Sequence, residues 1–244
     1  MEVVNHYEEF DELMAYFQEA RKYALDHAEF YANLKSDHIV YSTPSSFYYG
    51  IHTPSLALSI AYSKSFVKGR KLKASGNRKE YNSYEYDDNG NLIKISYHGE
   101  ESNSFCCIFQ LNGYEWAVPV YEYNGRYCEC YKAEIRKYDD RGRILAFAML
   151  DMAQIWMEKY SYPENDPLTA ICEHWNYIPK LSHSAKDKAV SETGSPAQLW
   201  IYKLNLQDPA KVVGELIEYY KRDTSAYRQK PPCLPPPQIA YKKK

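Results

Sequence analysis

Six glycine-containing turn signals cut residues 70–160 into short runs of alternating side chains: Gly76-Asn77, Asn89-Gly90, His98-Gly99, Asn112-Gly113, Asn124-Gly125 and Arg141-Gly142. Asn-Gly favours the two-residue hairpin because both central residues of a type I′ turn need positive φ. Between the turns the period is two. Phe105, Cys107, Phe109 and Leu111 fall on one side of a strand, and Cys106, Ile108 and Gln110 on the other. Tyr114, Trp116, Val118 and Val120 likewise alternate with Glu115, Ala117 and Pro119. Alternation of this kind marks strands that present distinct faces. Pro119 has no N–H to give to a ladder, so it belongs at an edge, a bulge or a strand end. The reading is an antiparallel meander of six or more strands, sequential neighbours pairing.

Tyrosine is the dominant aromatic, with 26 copies against 8 Phe and 4 Trp. A ring carrying a hydroxyl suits half-buried sheet faces and contact surfaces better than a dry core. The chain is long enough at 244 residues to bury a core without covalent staples. It contains no apolar run of membrane-spanning length. Its opening, Met1-Glu2-Val3-Val4-Asn5, does not read as a secretory leader, so the expected location is cytoplasmic and the six cysteines are expected reduced.

A helix is expected near the N-terminus. Asn5 and Glu8 are placed as a capping box, and Phe10, Leu13, Met14, Phe17, Ala20, Ala24, Ala28 and Tyr31 recur at helical spacing. Thr53-Pro54 reads as a further helix start, although Leu56, Leu58, Ile60 and Tyr62 also alternate as a strand would. Ile171–Ile178 and Ala197–Leu204 read as strands around a polar loop at 179–196. Asp208-Pro209 followed by Val212, Val213, Leu216, Ile217 and Tyr220 predicts a C-terminal helix. Beyond it, Pro231, Pro232 and Pro235–Pro237 impose extended geometry on a Pro/Lys-rich tail. The expected fold class is α+β. A large twisted antiparallel meander packs against the N-terminal helix, with a C-terminal helix beside it. Residues 1–222 form a single domain and 223–244 the tail.

Two segments share the pattern Tyr-Asp-Asp-x-Gly-x-Leu/Ile: Tyr86-Asp87-Asp88-Asn89-Gly90-Asn91-Leu92 and Tyr138-Asp139-Asp140-Arg141-Gly142-Arg143-Ile144. Each resembles the YD repeats of Rhs-type bacterial proteins, which are built from β-hairpins. The resemblance covers these two segments alone. It implies hairpin turns and a bacterial or phage setting in which toxin and immunity proteins are common, and it transfers no catalytic residue.

Candidate chemistry is sparse. Asp87-x-Asn89-x-Asn91 does not make an EF-hand, because its Gly is misplaced and position twelve is His98. Cys128 and Cys130 share a strand face, but a single CxC pair does not define a zinc site, and no metal or cofactor is expected. Cys172 and His174 also share a face and form the one compact nucleophile-and-base pairing. The basic run Lys64, Lys68, Arg70, Lys71, Lys73, Arg78 and Lys79 is the sole hint of phosphate contact, and a charged sheet edge explains it equally well. Residues 221–244 carry seven basic side chains against one acidic, a net +6 that leaves −8 on the rest, given a whole-chain charge of −2. An acidic body counts against nucleic-acid binding. The leading expectation is a non-enzymatic protein-binding module, of immunity or inhibitor type, that acts through a tyrosine-rich surface. Tyr121, Tyr123, Tyr127 and Tyr131 around the Asn124-Gly125 turn are its candidate contacts. The alternatives are a small-ligand-binding sheet or barrel, and an enzyme using Cys172 and His174.

Overall fold

A computed structural model describes residues 9–45, 49, 69–75, 78–99, 102–129, 132–151, 155–177, 198–207, 212–221 and 238–240. The fold is sheet-dominated, with two helices and fourteen strands among these residues, and every strand pair described below is antiparallel. The expected cap at Asn5 and Glu8, the segment after Thr53 and the loop at 179–196 lie outside the described residues. So does all of the tail except β14.

The chain divides into two compact units. The first comprises Asp11–Pro54 and Phe66–Lys137, and the second comprises Met1–Phe10, Ser55–Ser65 and Tyr138–Lys244. In the first, α1 (Phe10–Asp26) and α2 (Ala28–Asn33) precede β1 (His38–Ser42), β2 (Lys71–Leu72), β3 (Tyr81–Tyr86), β4 (Leu92–Gly99) and β5 (Ser102–Leu111). Then come β6 (Tyr114–Tyr123), β7 (Arg126–Glu129) and β8 (Lys132–Tyr138). The strand order is β2-β1-β3-β4-β5-β6-β8, with β7 also on β6.

Helix α1 buries Phe10, Leu13, Phe17, Ala20 and Ala24, the stripe expected at helical spacing, and has Asp11 and Glu12 in its first turn. The Phe17 ring lies 6.5 Å from Trp116, and the Tyr23 ring 4.5 Å from Phe109. Tyr31 donates its hydroxyl to the Ile108 carbonyl at 3.0 Å. Trp116, Phe109 and Cys107 share one face of the β5–β6 ladder. On the opposite face Tyr49, Tyr84, Ile95, Cys106, Ile108 and Ala117 form a buried cluster. This sheet is therefore covered on both faces at its centre.

Two turn chemistries set the register. Asn112-Gly113 and Asn124-Gly125 have φ of 53° and 77°, and of 52° and 69°, the two positive values a type I′ turn requires. Asn89-Gly90 and Arg141-Gly142 do not follow that expectation, since only Gly90 and Gly142 have positive φ. Here an aspartate organises the turn. Asp87 Oδ1 accepts the N–H groups of Asn89 and Asn91 at 3.0 and 2.7 Å, and Asp139 Oδ1 those of Arg141 and Arg143 at 2.9 and 2.8 Å. The second carboxylate oxygen takes the Asn91 amide in one copy and Arg143 Nε in the other. The glycine N–H closes on the aspartate carbonyl in both. The two Tyr-Asp-Asp segments thus fold alike.

Pro119 sits inside β6, at an interruption of the ladder beside it. β8 pairs with Glu115–Ala117 and β7 with Val120–Tyr123, so among the described residues the ladder on that side skips Val118 and Pro119. That matches a residue that cannot donate.

In the second unit, β9 (Ile144–Asp151), β10 (Ile155–Ser161), β11 (Thr169–Tyr177), β12 (Gln198–Asn205), β13 (Val213–Lys221) and β14 (Gln238–Ala240) follow one another as neighbours. Strand β13 corrects the expected C-terminal helix. Its register against β12 shifts between Ile201/Glu218 and Tyr202/Leu216, which leaves Ile217 as a bulge. The extra residue breaks the period of two and spaces Val212, Val213, Leu216, Ile217 and Tyr220 as a helix would. Gly214, the β-branched residues and two tyrosines favour the strand.

Three measurements check this account. Gly113→Ala lowers stability by about 1 kcal/mol from backbone strain alone, because no atom lies within 4 Å of where its Cβ would stand. A urea titration reads it. Arg136→Met costs about 3 kcal/mol. The guanidinium, buried 3.6 Å over the Tyr49 ring, is the partner of Glu115 at 2.6 Å. Asp139→Ala lowers the urea midpoint at pH 7, and acid erases the difference. Desolvation raises the Asp139 carboxyl, but hydrogen bonds from Arg143 and Arg141 outweigh it and hold it below the ordinary range. Its contribution is complete above the unfolded value of about 3.9 and is lost as pH falls through the depressed folded value.

Candidate functional site

Two places in the described structure carry features that packing alone does not require. The first is the β6–β7 hairpin. Register pairs Tyr121 with Cys128, Glu122 with Tyr127 and Tyr123 with Arg126. Tyr121 and Tyr123 therefore share one face, and are 39% and 65% exposed. Tyr127 lies on the other face, its ring 6.1 Å from Phe105 in an edge-on contact. Tyr131 lies outside the described residues. Of the four candidate tyrosines the fold brings two together.

Tyrosine abundance itself marks no surface. Sixteen of the twenty described tyrosines are buried or half-buried, and only Tyr23, Tyr121, Tyr123 and Tyr138 are exposed. Most serve the sheet. Arg70, Lys71, Lys73, Arg78 and Lys79 of the basic run are exposed around β2, an edge strand, while Lys64 and Lys68 lie outside the described residues.

The second place is a buried polar row across β10, β11 and β12. Register sets Glu158 opposite His174, and His174 opposite Trp200. Glu158 and His174 are fully buried, with His174 Nδ1 2.9 Å from Glu158 Oε1. Tyr160 donates its hydroxyl to Glu158 Oε2. The His174 ring lies 5.2 Å from Trp200 and 6.4 Å from Trp156. Beside it, Asn176 Nδ2 donates to Gln198 Oε1 at 3.4 Å, and Gln198 Nε2 donates to the Tyr219 hydroxyl at 3.1 Å.

Cys172 and His174 do share this face, as expected for residues two apart on a strand. The partner of His174, however, is Glu158. Cys172 is fully buried, and burial followed by the nearby Glu158 carboxylate pushes its thiol well above the ordinary range. A neutral thiol is a poor nucleophile. Glu158 was missed by sequence reasoning, although a signal existed: alternation through Ile155–Ser161 puts Glu158 on the face of Trp156 and Tyr160.

Among the described residues no cluster of three or more His, Cys, Asp or Glu side chains is arranged to hold a metal. No described helix is long and apolar enough to cross a membrane. A groove of about 430 Å³ runs past Asp166, Thr169, Lys203, Asn205, Gln207 and Glu215. Its rim is mostly exposed and mixed in charge.

Thiol labelling of the folded chain tests the burial pattern. Half-buried Cys128 reacts with iodoacetamide in peptide maps, while Cys106, Cys107 and Cys172 react only after denaturation. Labelling of native Cys172 at a rate near that of Cys128 contradicts the arrangement. No family model, curated protein or solved structure matches the chain.

Proposed function

We propose that this protein is a non-enzymatic binding module that contacts another protein through the β6–β7 hairpin. The observation that carries the reading is the shared exposed face of Tyr121 and Tyr123 on a ribbon that extends beyond the main ladder. Ser104 is the last residue of β5 paired with β6, opposite Tyr121, so among the described residues Glu122 and Tyr123 have only β7 beside them in the ladder. Rigid, amphipathic rings presented this way serve as anchors at protein interfaces.

An immunity or inhibitor role fits the charge. Residues 1–220 carry −8, which speeds encounter with a basic partner such as a nucleic-acid-cleaving toxin. The acidic charge provides steering, and the tyrosines provide the lasting contact. The burial of Cys172 removes support from the thiol-enzyme alternative.

Co-purification from the native host, followed by titration of the recovered partner, tests the proposal. Tyr121→Ser with Tyr123→Ser weakens binding at least tenfold, while the thermal midpoint of the free protein stays within about 2 °C because both rings are exposed. Higher salt slows association. Recovery of the chain alone at every salt concentration, or unchanged affinity in the double variant, overturns the reading.

A further inference from the structure

We propose that Asn124 is a site of spontaneous backbone modification, at which ammonia is lost and an aspartyl or isoaspartyl link forms at the tip of the β6–β7 hairpin. The described residues include three Asn-Gly pairs, Asn89-Gly90, Asn112-Gly113 and Asn124-Gly125, all of them exposed. Asparagine before glycine is labile because no side chain shields the glycine nitrogen. At none of the three glycines does any atom lie within 4 Å of where a Cβ would stand. Access to the nitrogen is therefore alike in all three, and the bonds around each turn set them apart.

The chemistry needs water alone. The Gly125 nitrogen gives its proton to solvent base and attacks Asn124 Cγ. A C–N bond forms, the Cγ–Nδ2 bond breaks, and Nδ2 takes up a proton and leaves as ammonia. Water then adds to one of the two carbonyls of the five-membered imide. Opening at Cγ leaves aspartate at position 124. Opening at the main-chain carbonyl routes the chain through Cβ, as isoaspartate. Nothing is oxidised or reduced. Ring closure needs rotation about the Asn124 Cα–C bond, so a turn tied in place reacts slowly and a loosely tied one reacts fast.

Two of the three turns are tied. The Gly90 N–H, which carries the attacking nitrogen of the first, donates to the Asp87 carbonyl at 3.0 Å, and the Asn89 N–H donates to Asp87 Oδ1 at 3.0 Å. In the second, the Asn112 amide that would leave donates to Glu19 Oε2 of α1 at 3.0 Å. The Trp116 indole donates to the Leu111 carbonyl at 3.1 Å beside it, and Tyr114 is buried. Asn124 and Gly125 have no such ties among the described residues. Their neighbours Tyr123 and Arg126 are exposed, and β7, the returning strand, is four residues long. Modification puts a carboxylate in place of a neutral amide between Tyr123 and Arg126, which face each other across the turn. The isoaspartyl link also adds a backbone atom to a two-residue loop that fits a type I′ turn. The site follows from turn chemistry and stands whatever the hairpin contacts.

Incubation of the full chain at neutral pH, followed by peptide mapping with mass spectrometry, reads the reaction as the exchange of an NH2 group for OH. Fragmentation of the peptide that spans position 124 separates the aspartyl from the isoaspartyl product. In the folded chain Asn124 converts at least about tenfold faster than Asn89 and Asn112. In urea, where the ties of the other two turns are gone, the three rates converge. The comparison uses the unaltered chain, so no substitution can blunt it by misfolding. Conversion at Asn124 in the folded chain no faster than at the other two, absence of product there while the chain in urea forms it, or the same rate difference in urea overturns the proposal.

Discussion

A strand covered on both faces has no solvent side on which to leave a charge, and this constraint organises the protein. A buried charged or polar residue on such a strand takes its partner from across the ladder or from a segment folded over the face, as Glu134 does from the Tyr49 N–H. Register supplies it in three places. Lys94 stands opposite Glu85, with 3.1 Å between their charged groups. Arg136 stands opposite Glu115, and Glu158 opposite His174. All three are direct cross-strand pairs, so the backbone ladder that aligns the strands also aligns the paired side chains. A slip of one residue would move every member of these pairs to the other face. The turns that fix register therefore also keep buried charges from being stranded.

Much of this was legible in the chain. The Asn112-Gly113 and Asn124-Gly125 turns, the alternation through β5 and β6 and the helical spacing from Phe10 to Tyr31 follow from local chemistry; the structure shows both turns and the alternation, and divides the helical run between α1 and α2. Their spacing is dictated by residues that are themselves neighbours. The turn type at Asp87 and Asp139 was less accessible. Asn89-Gly90 looks like a type I′ signal, yet the Asp87 carboxylate two residues earlier captures the backbone donors and selects another turn. A side chain outside the dipeptide decided the outcome.

The C-terminal helix was misread for a related reason. The inserted Ile217 gives β13 a spacing that imitates a helix, and only the partner strand reveals it as a bulge. The polar row shows the same limit. Cys172 and His174 attract attention because they are close in sequence. Glu158, sixteen residues before His174, is brought to it by the β10–β11 pairing. Local spacing shows which residues share a face; the identity of the residue across the ladder comes from long-range register.

Pro119 leaves one lasting mark on the mechanics of the first unit. The β6–β8 ladder stops at Ala117 and the β6–β7 ladder starts at Val120. A gap opposite an imino acid, which cannot tie the backbone across it, separates the two. Beyond Tyr121 the arm has two strands among the described residues, and narrow ribbons coil more strongly than broad sheets. The tip is thus a narrow ribbon mounted on a broader sheet, and fewer ladder hydrogen bonds hold it than hold β4 and β5.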